Sequence, residues 1–153
     1  MRISPTIGCL ACTTLIAIAI AGCANAPELQ VALGAANEVP PNRSTAAGKA
    51  SFWVHPDRTL NGIVETSGME ATAANIYLDR PGAVDEVAVQ LVRNSSEGPV
   101  AMEQAPVSGA SWSIPRGARL SEEQYQAFLA GQTYINVHSA RYPLGEIRGQ
   151  IKP

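Results

Sequence analysis

The sequence predicts an all-β fold: a single antiparallel β-sandwich or barrel-like domain with one short helix near residues 121–130. Three observations lead there. Short runs with alternating or dense apolar residues recur along the chain. Pro, Gly, Asn and Asp separate them. Only one stretch carries an apolar stripe at i, i+3, i+4 spacing.

The elements follow in order. Leu29, Val31 and Leu33 alternate with Gln30 and Ala32, and Pro40-Pro41-Asn42 then breaks the run into a loop. Gly48 to His55 reads as a strand and Thr59 to Thr66 as its partner, with turn residues in His55-Pro56-Asp57-Arg58 between them. Ala73 to Asp79 is a further strand, stopped at Pro81-Gly82. Val87, Val89 and Leu91 alternate, and Ala110 to Ile114 is a short strand around Trp112. The helix opens at Ser121, whose capping box is completed by Gln124. Its stripe is Tyr125, Phe128 and Leu129, expected to pack across the rim of the sheet, and Gly131 stops it. Gln132 to His138 and Gly145 to Ile151 close the chain, joined by a turn with Pro143 in second place and Gly145 in fourth.

The first residues belong to a different class. Met1-Arg2 is followed by an apolar run, clearest from Thr13 to Ile20, then by small residues. That is the pattern of an export signal, and the run falls short of the about 20 residues that span a bilayer. Ile20-Ala21-Gly22-Cys23 resembles the bacterial lipobox, in which the Cys thiol takes a diacylglycerol and the amine freed by cleavage is often acylated, with chains such as palmitate. The expectation is a lipoprotein signal peptide over 1–22, a lipid-modified Cys23 with a short tether over 23–27, and a domain over 28–153. The alternative is an ordinary signal cut at Ala24-Asn25-Ala26, which also fits an A-x-A site. Ala24 stands where an Asp would resemble an inner-membrane retention signal, so the outer membrane is favoured, on either of its faces.

Composition narrows the partners. All three cysteines, Cys9, Cys12 and Cys23, lie near the N-terminus, so the domain beyond them has neither disulfides nor a thiolate metal site. With 11 Lys+Arg against 13 Asp+Glu and no basic run, nucleic acid is not an expected partner. The expected partners are the membrane, through the lipid on Cys23, and an envelope protein or ligand. No cofactor is expected.

Two sets of residues carry a family resemblance. Asn37-Glu38-Val39-Pro40-Pro41 and Gly48-Lys49-Ala50 form an opening. Ala130-Gly131-Gln132-Thr133-Tyr134-Ile135-Asn136-Val137-His138-Ser139 and Pro143-Leu144-Gly145-Glu146-Ile147-Arg148-Gly149-Gln150-Ile151 form a close. Over roughly Leu29 to Ile151 the chain resembles the CHRD domain, named after chordin. The resemblance implies a β-sandwich-like binding or structural domain with no established enzymatic activity. That family usually carries His-x-His in a middle strand. Asn75 and Tyr77 stand there instead.

Strand alternation gathers the candidate site. Asn75 and Tyr77 share one face with Asp79. Tyr134, Asn136 and His138 share another, as do Glu146, Arg148 and Gln150. If the strands are neighbours, Asn75, Tyr77, Asn136, His138, Glu146 and Arg148 form one shallow polar patch, with Glu146 and Arg148 placed to orient the His138 ring or bind an anion. The competing reading is a face whose polar groups satisfy one another. Metal binding has only His55 and His138 to draw on beyond Met1–Cys23, where two or three histidines are usual in a catalytic zinc or copper site. Ser108-Gly109-Ala110-Ser111 is no nucleophile elbow, and Ser139 points away from the neighbouring His138. No catalytic residue is expected. The favoured function is therefore a non-enzymatic, membrane-anchored envelope lipoprotein with a binding or structural domain. The alternative is a metal-binding or redox-protective envelope domain using His138.

Overall fold

Alternation of apolar and polar residues places the strands much as the sequence predicts. The computed structural model describes residues 26–80, 86–94 and 109–153. Cys9, Cys12, Cys23 and the signal and tether assigned up to residue 25 lie outside them, as does Ser108. β1 (Leu29–Gly34) buries Val31 and Leu33 and exposes Gln30 and Ala32. A single 3-10 turn follows at Ala35–Asn37. β2 (Ala47–Val54) and β3 (Leu60–Ser67) form the expected hairpin, in register from Ala47↔Ser67 to Val54↔Leu60. In its turn the Arg58 N–H donates to the His55 carbonyl at 2.8 Å, with Arg58 in the left-handed region at φ 71°. Asp57 accepts from the Thr59 hydroxyl at 2.6 Å and from its N–H at 3.0 Å, and these bonds lower its carboxyl below the usual range. His55, one of the expected turn residues, is partly buried and bonds Asn61 through Nε2 at 2.8 Å.

The remaining strands are β4 (Ala71–Leu78), β5 (Glu86–Gln90), β6 (Val92–Arg93), β7 (Ser111–Ser113), β8 (Thr133–Ser139) and β9 (Ile147–Ile151). All pairings are antiparallel, in one sheet of order β5-β4-β8-β9-β1-β2-β3-β7-β6. The order divides into halves, β5-β4-β8-β9 and β1-β2-β3-β7-β6, that meet twice. One joint is β1 against β9, where Gly34 pairs with Arg148. The other is Leu91, which lies between the two edge strands. Its N–H donates to the Ala74 carbonyl at 3.0 Å, and the next residues pair with β7. The edges are thus one stretch of chain, and the sheet nearly closes into a barrel.

The expected alternation of Val87, Val89 and Leu91 is corrected here. The register slips opposite Ile76 and Tyr77, so Val87 turns outward while Val89 and Leu91 are buried. Phe52, Val64, Ile76, Trp112, Ile135, Val137, Ile147 and Ile151 fill the interior. At the β1–β9 joint the strands approach so closely that a Cβ on Gly149 would stand 2.5 Å from Val31 Cγ1 and 2.7 Å from the Ala32 carbonyl oxygen.

Helix α1 (Glu122–Leu129) has the expected caps. The Gln124 N–H donates to Ser121 Oγ at 3.1 Å, and the Ser121 N–H to Gln124 Oε1 at 2.9 Å. Gly131, at φ 69°, donates to the Phe128 carbonyl and Gln132 to that of Ala127, which closes the helix as a Schellman motif. Its buried face differs from the expected stripe: Ala127 and Phe128 are buried and Tyr125 is half-buried, but Leu129 is 49 % exposed. With the helix seated at the sheet end, only part of its stripe meets the core.

Strand directions give the barrel two poles. The chain reaches β1 at one, which also holds the β2–β3 turn, α1 and Pro153. The other holds the Gly34-to-Ala47 segment and the turn between β8 and β9. There the Gly145 N–H donates to the Tyr142 carbonyl at 3.1 Å, with Pro143 in second place as expected.

Replacing Gly149 with Ala should cost about 1–3 kcal/mol, because the added methyl must displace backbone and not merely a side chain. Ser121→Ala should cost about 1 kcal/mol through the lost cap. Urea unfolding with an unchanged slope reads both, and a neutral Gly149→Ala would show that β1 and β9 can separate freely.

Candidate functional site

β4, β8 and β9 are neighbours, and their polar faces merge on the outside of the sheet. Asn75 lies opposite Asn136, and Asn136 opposite Arg148. Tyr77 lies opposite Tyr134, and Tyr134 opposite Gln150. The Tyr77 and Tyr134 rings stack at 5.3 Å. Arg148 places its guanidinium 3.5 Å from the centre of the Tyr134 ring and reaches across to Asp79, at 3.1 Å. Tyr134 is therefore buried although it belongs to the outer face. A cation over an aromatic ring, held by a carboxylate, fixes both side chains.

A chain of hydrogen bonds runs along the patch. Asn75 Nδ2 donates to Tyr77 Oη at 3.0 Å, and Tyr77 Oη lies 2.9 Å from His138 Nε2. His138 Nδ1 lies 3.0 Å from the Pro143 carbonyl oxygen. That oxygen can only accept, so Nδ1 carries a proton. In the neutral tautomer Nε2 then accepts from the tyrosine hydroxyl. Both ring nitrogens are engaged, and no lone pair is left free for a metal. Among the described residues no cluster of three His, Cys, Asp or Glu side chains has metal-binding geometry.

The other candidates are placed differently from the shallow patch expected. Asn75, Asn136 and Glu146 are buried. The segment after β1 covers part of the face. Asn37 Nδ2 donates to the Arg148 carbonyl at 3.1 Å, Asn42 Nδ2 to the Glu146 carbonyl at 2.9 Å, and Ser44 Oγ to the Glu146 carboxylate. Glu146 and Arg148 thus hold Ser44 and Asp79, and Tyr77 and Pro143 orient His138. Gly145 permits this arrangement. At its φ of 137° a Cβ would meet the Asn136 amide at 2.4 Å.

The residue that the site expectation missed is Glu38. It is buried, with Oε2 accepting from Asn136 Nδ2 at 3.3 Å. Burial raises its carboxyl above the ordinary range, against the lowering influence of that hydrogen bond and of Arg148. Glu38 Oε1, Asn136 Oδ1 and Asn75 Oδ1 are buried without a protein hydrogen-bond partner. Protonation would convert one Glu38 oxygen from acceptor to donor among these acceptors. The signal was in the sequence, since Glu38 lies in the opening motif. Beside the covered region a groove of about 530 Å³ follows the β1–β9 joint, with Gln30, Asn37, Val39, Arg148, Gln150 and Lys152 along it.

Two outcomes follow from this geometry. Tyr77→Phe removes the hydroxyl that Asn75 and His138 share, and should cost about 1–3 kcal/mol in urea unfolding. A neutral result would mean that water replaces it without loss. Glu38, with its pKa raised in the folded state, holds its proton more tightly folded than unfolded. Its contribution is fully present below the ordinary 4.5 and is lost as pH rises through the folded value. As pH falls toward 4.5 the wild-type protein should gain stability relative to Glu38→Gln, and parallel pH profiles would remove Glu38 as the cause.

The motifs that carry the resemblance converge in this one region: Glu38 from the opening, Asn136 and His138 from β8, and Gly145, Glu146 and Arg148 before and within β9. No curated protein and no solved structure matches the chain. The family model of the CHRD domain matches residues 29–151, from the first strand to the last. The chain belongs to the CHRD domain family.

Proposed function

We propose that this protein is a non-enzymatic lipoprotein of the cell envelope, held to a membrane through lipid on Cys23, whose CHRD domain binds or organises an envelope partner. The observation that carries the reading is the lipobox-like Ile20-Ala21-Gly22-Cys23, closely followed by a domain that begins at Leu29. Membership of a family of binding and structural domains supports the second half.

The poles of the barrel give the reading a direction. The tether arrives beside the start of β1, so the turn holding Pro143 and Leu144 faces away from the membrane. Leu144 is 91 % exposed there, and Val39, beside the groove, is 79 % exposed. His138 and Arg148 stand behind them in fixed orientations. A rigid polar floor flanked by free apolar side chains suits recognition more than turnover.

Growth with labelled palmitate tests the anchor. The wild-type protein should carry label and sediment with membranes, and Cys23→Ser should do neither. An unlabelled, soluble wild-type protein would sink the anchored reading. Turnover of an envelope substrate that one side-chain replacement abolishes would sink the non-enzymatic one.

A further inference from the structure

At the tether pole a second groove, of about 290 Å³, is bordered by Pro27, Leu29, Val54, Tyr125, Phe128, Leu129 and Pro153, with no charged side chain among the residues that line it. Leu129 stands half exposed on α1. Ala26 and Pro27 form part of the groove wall, so the chain departs toward Cys23 from the groove itself. Three peptide steps separate Ala26 from Cys23, a reach of about 10 Å at full extension.

We propose that this groove rests on the phospholipid bilayer, with Leu129 among the acyl chains and the distal pole pointing outward. The inference rests on acylation of Cys23. A lipid inserted at that residue keeps the groove within one short tether of the headgroups, and tethering raises the effective concentration of the bilayer above that of any diffusing partner. The apolar side chains of the lining then leave water for the interface, and two sites of attachment, lipid and groove, hold the barrel in one orientation.

The test uses the lipidated full-length protein. All three native cysteines lie at or before residue 23, so Leu129→Cys supplies the one free thiol of the acylated, processed form. A fluorophore there is compared with one at Leu144→Cys, at the opposite pole. Pro27→Cys gives a second reporter beside the groove, in case the helix tolerates the first poorly. The variants are placed in phosphatidylethanolamine–phosphatidylglycerol vesicles whose acyl chains carry nitroxide. Quenching at 129 and 27 should exceed that at 144 several-fold. Equal quenching at all three positions, with the lipid on Cys23 verified by mass, overturns the inference and leaves the anchor standing. Quenching lost as the protein is diluted among the vesicles would assign the groove to a second copy, and also overturns it. Absence of lipid on Cys23 removes both readings together.

Discussion

Two halves of the sheet meet along β1 and β9, and Gly149 sets how closely. Only a hydrogen at that position lets the β9 backbone come against Val31 and the Ala32 carbonyl. Gly34 and Arg148 pair there, and the 3-10 turn after β1 begins at once. That turn sends Asn37 onto the Arg148 carbonyl and Glu38 down beside Asn136. A wider joint would draw the covering segment off the outer face. The packing of one backbone against another therefore decides whether the polar groups of β8 and β9 are enclosed or wet.

Enclosure changes what those groups can do. An exposed Arg on a strand is a mobile cation, whereas Arg148 lies flat on Tyr134 with its charge held by Asp79. An exposed His is a ready metal ligand, whereas His138 has a hydroxyl at one nitrogen and a carbonyl at the other. Each side chain keeps its chemical type but loses its freedom, and the region becomes a stiff stretch of the barrel's outer wall. Such a wall presents neighbouring loops in a fixed arrangement, which lowers the entropy cost of recognition.

Much of this was legible in the sequence for reasons that stay local. Alternation named the strands and the shared face of Asn75 with Tyr77 and of Asn136 with His138, because a strand's period of two needs no tertiary knowledge. Ser121, Gln124 and Gly131 announced the helix ends through bonds a few residues long. What stayed hidden depends on parts far apart in the chain. Nothing near Glu38 says that it will be buried against a strand almost 100 residues later. Nothing near Val87 announces that its strand will slip by one residue opposite Ile76 and Tyr77. Glu146 and Arg148 were legible as a pair on one face, but their partners Ser44 and Asp79 come from other elements. Leu129 obeyed helical spacing and still missed the core, because the helix sits at the barrel's end.

The turn of the chain at Leu91 has a consequence for life in a crowd. Exposed sheet edges are templates on which a second chain can add a strand, and aggregation starts there. Here the two edges are five-residue and two-residue strands of a single segment, bent at a buried leucine whose own N–H is already taken by β4. Among the described residues, neighbouring copies find only these short edges to zip onto. On the proposed lipid anchor, where copies would meet far more often than in free solution, a barrel with edges this short offers few templates for strand addition between neighbours.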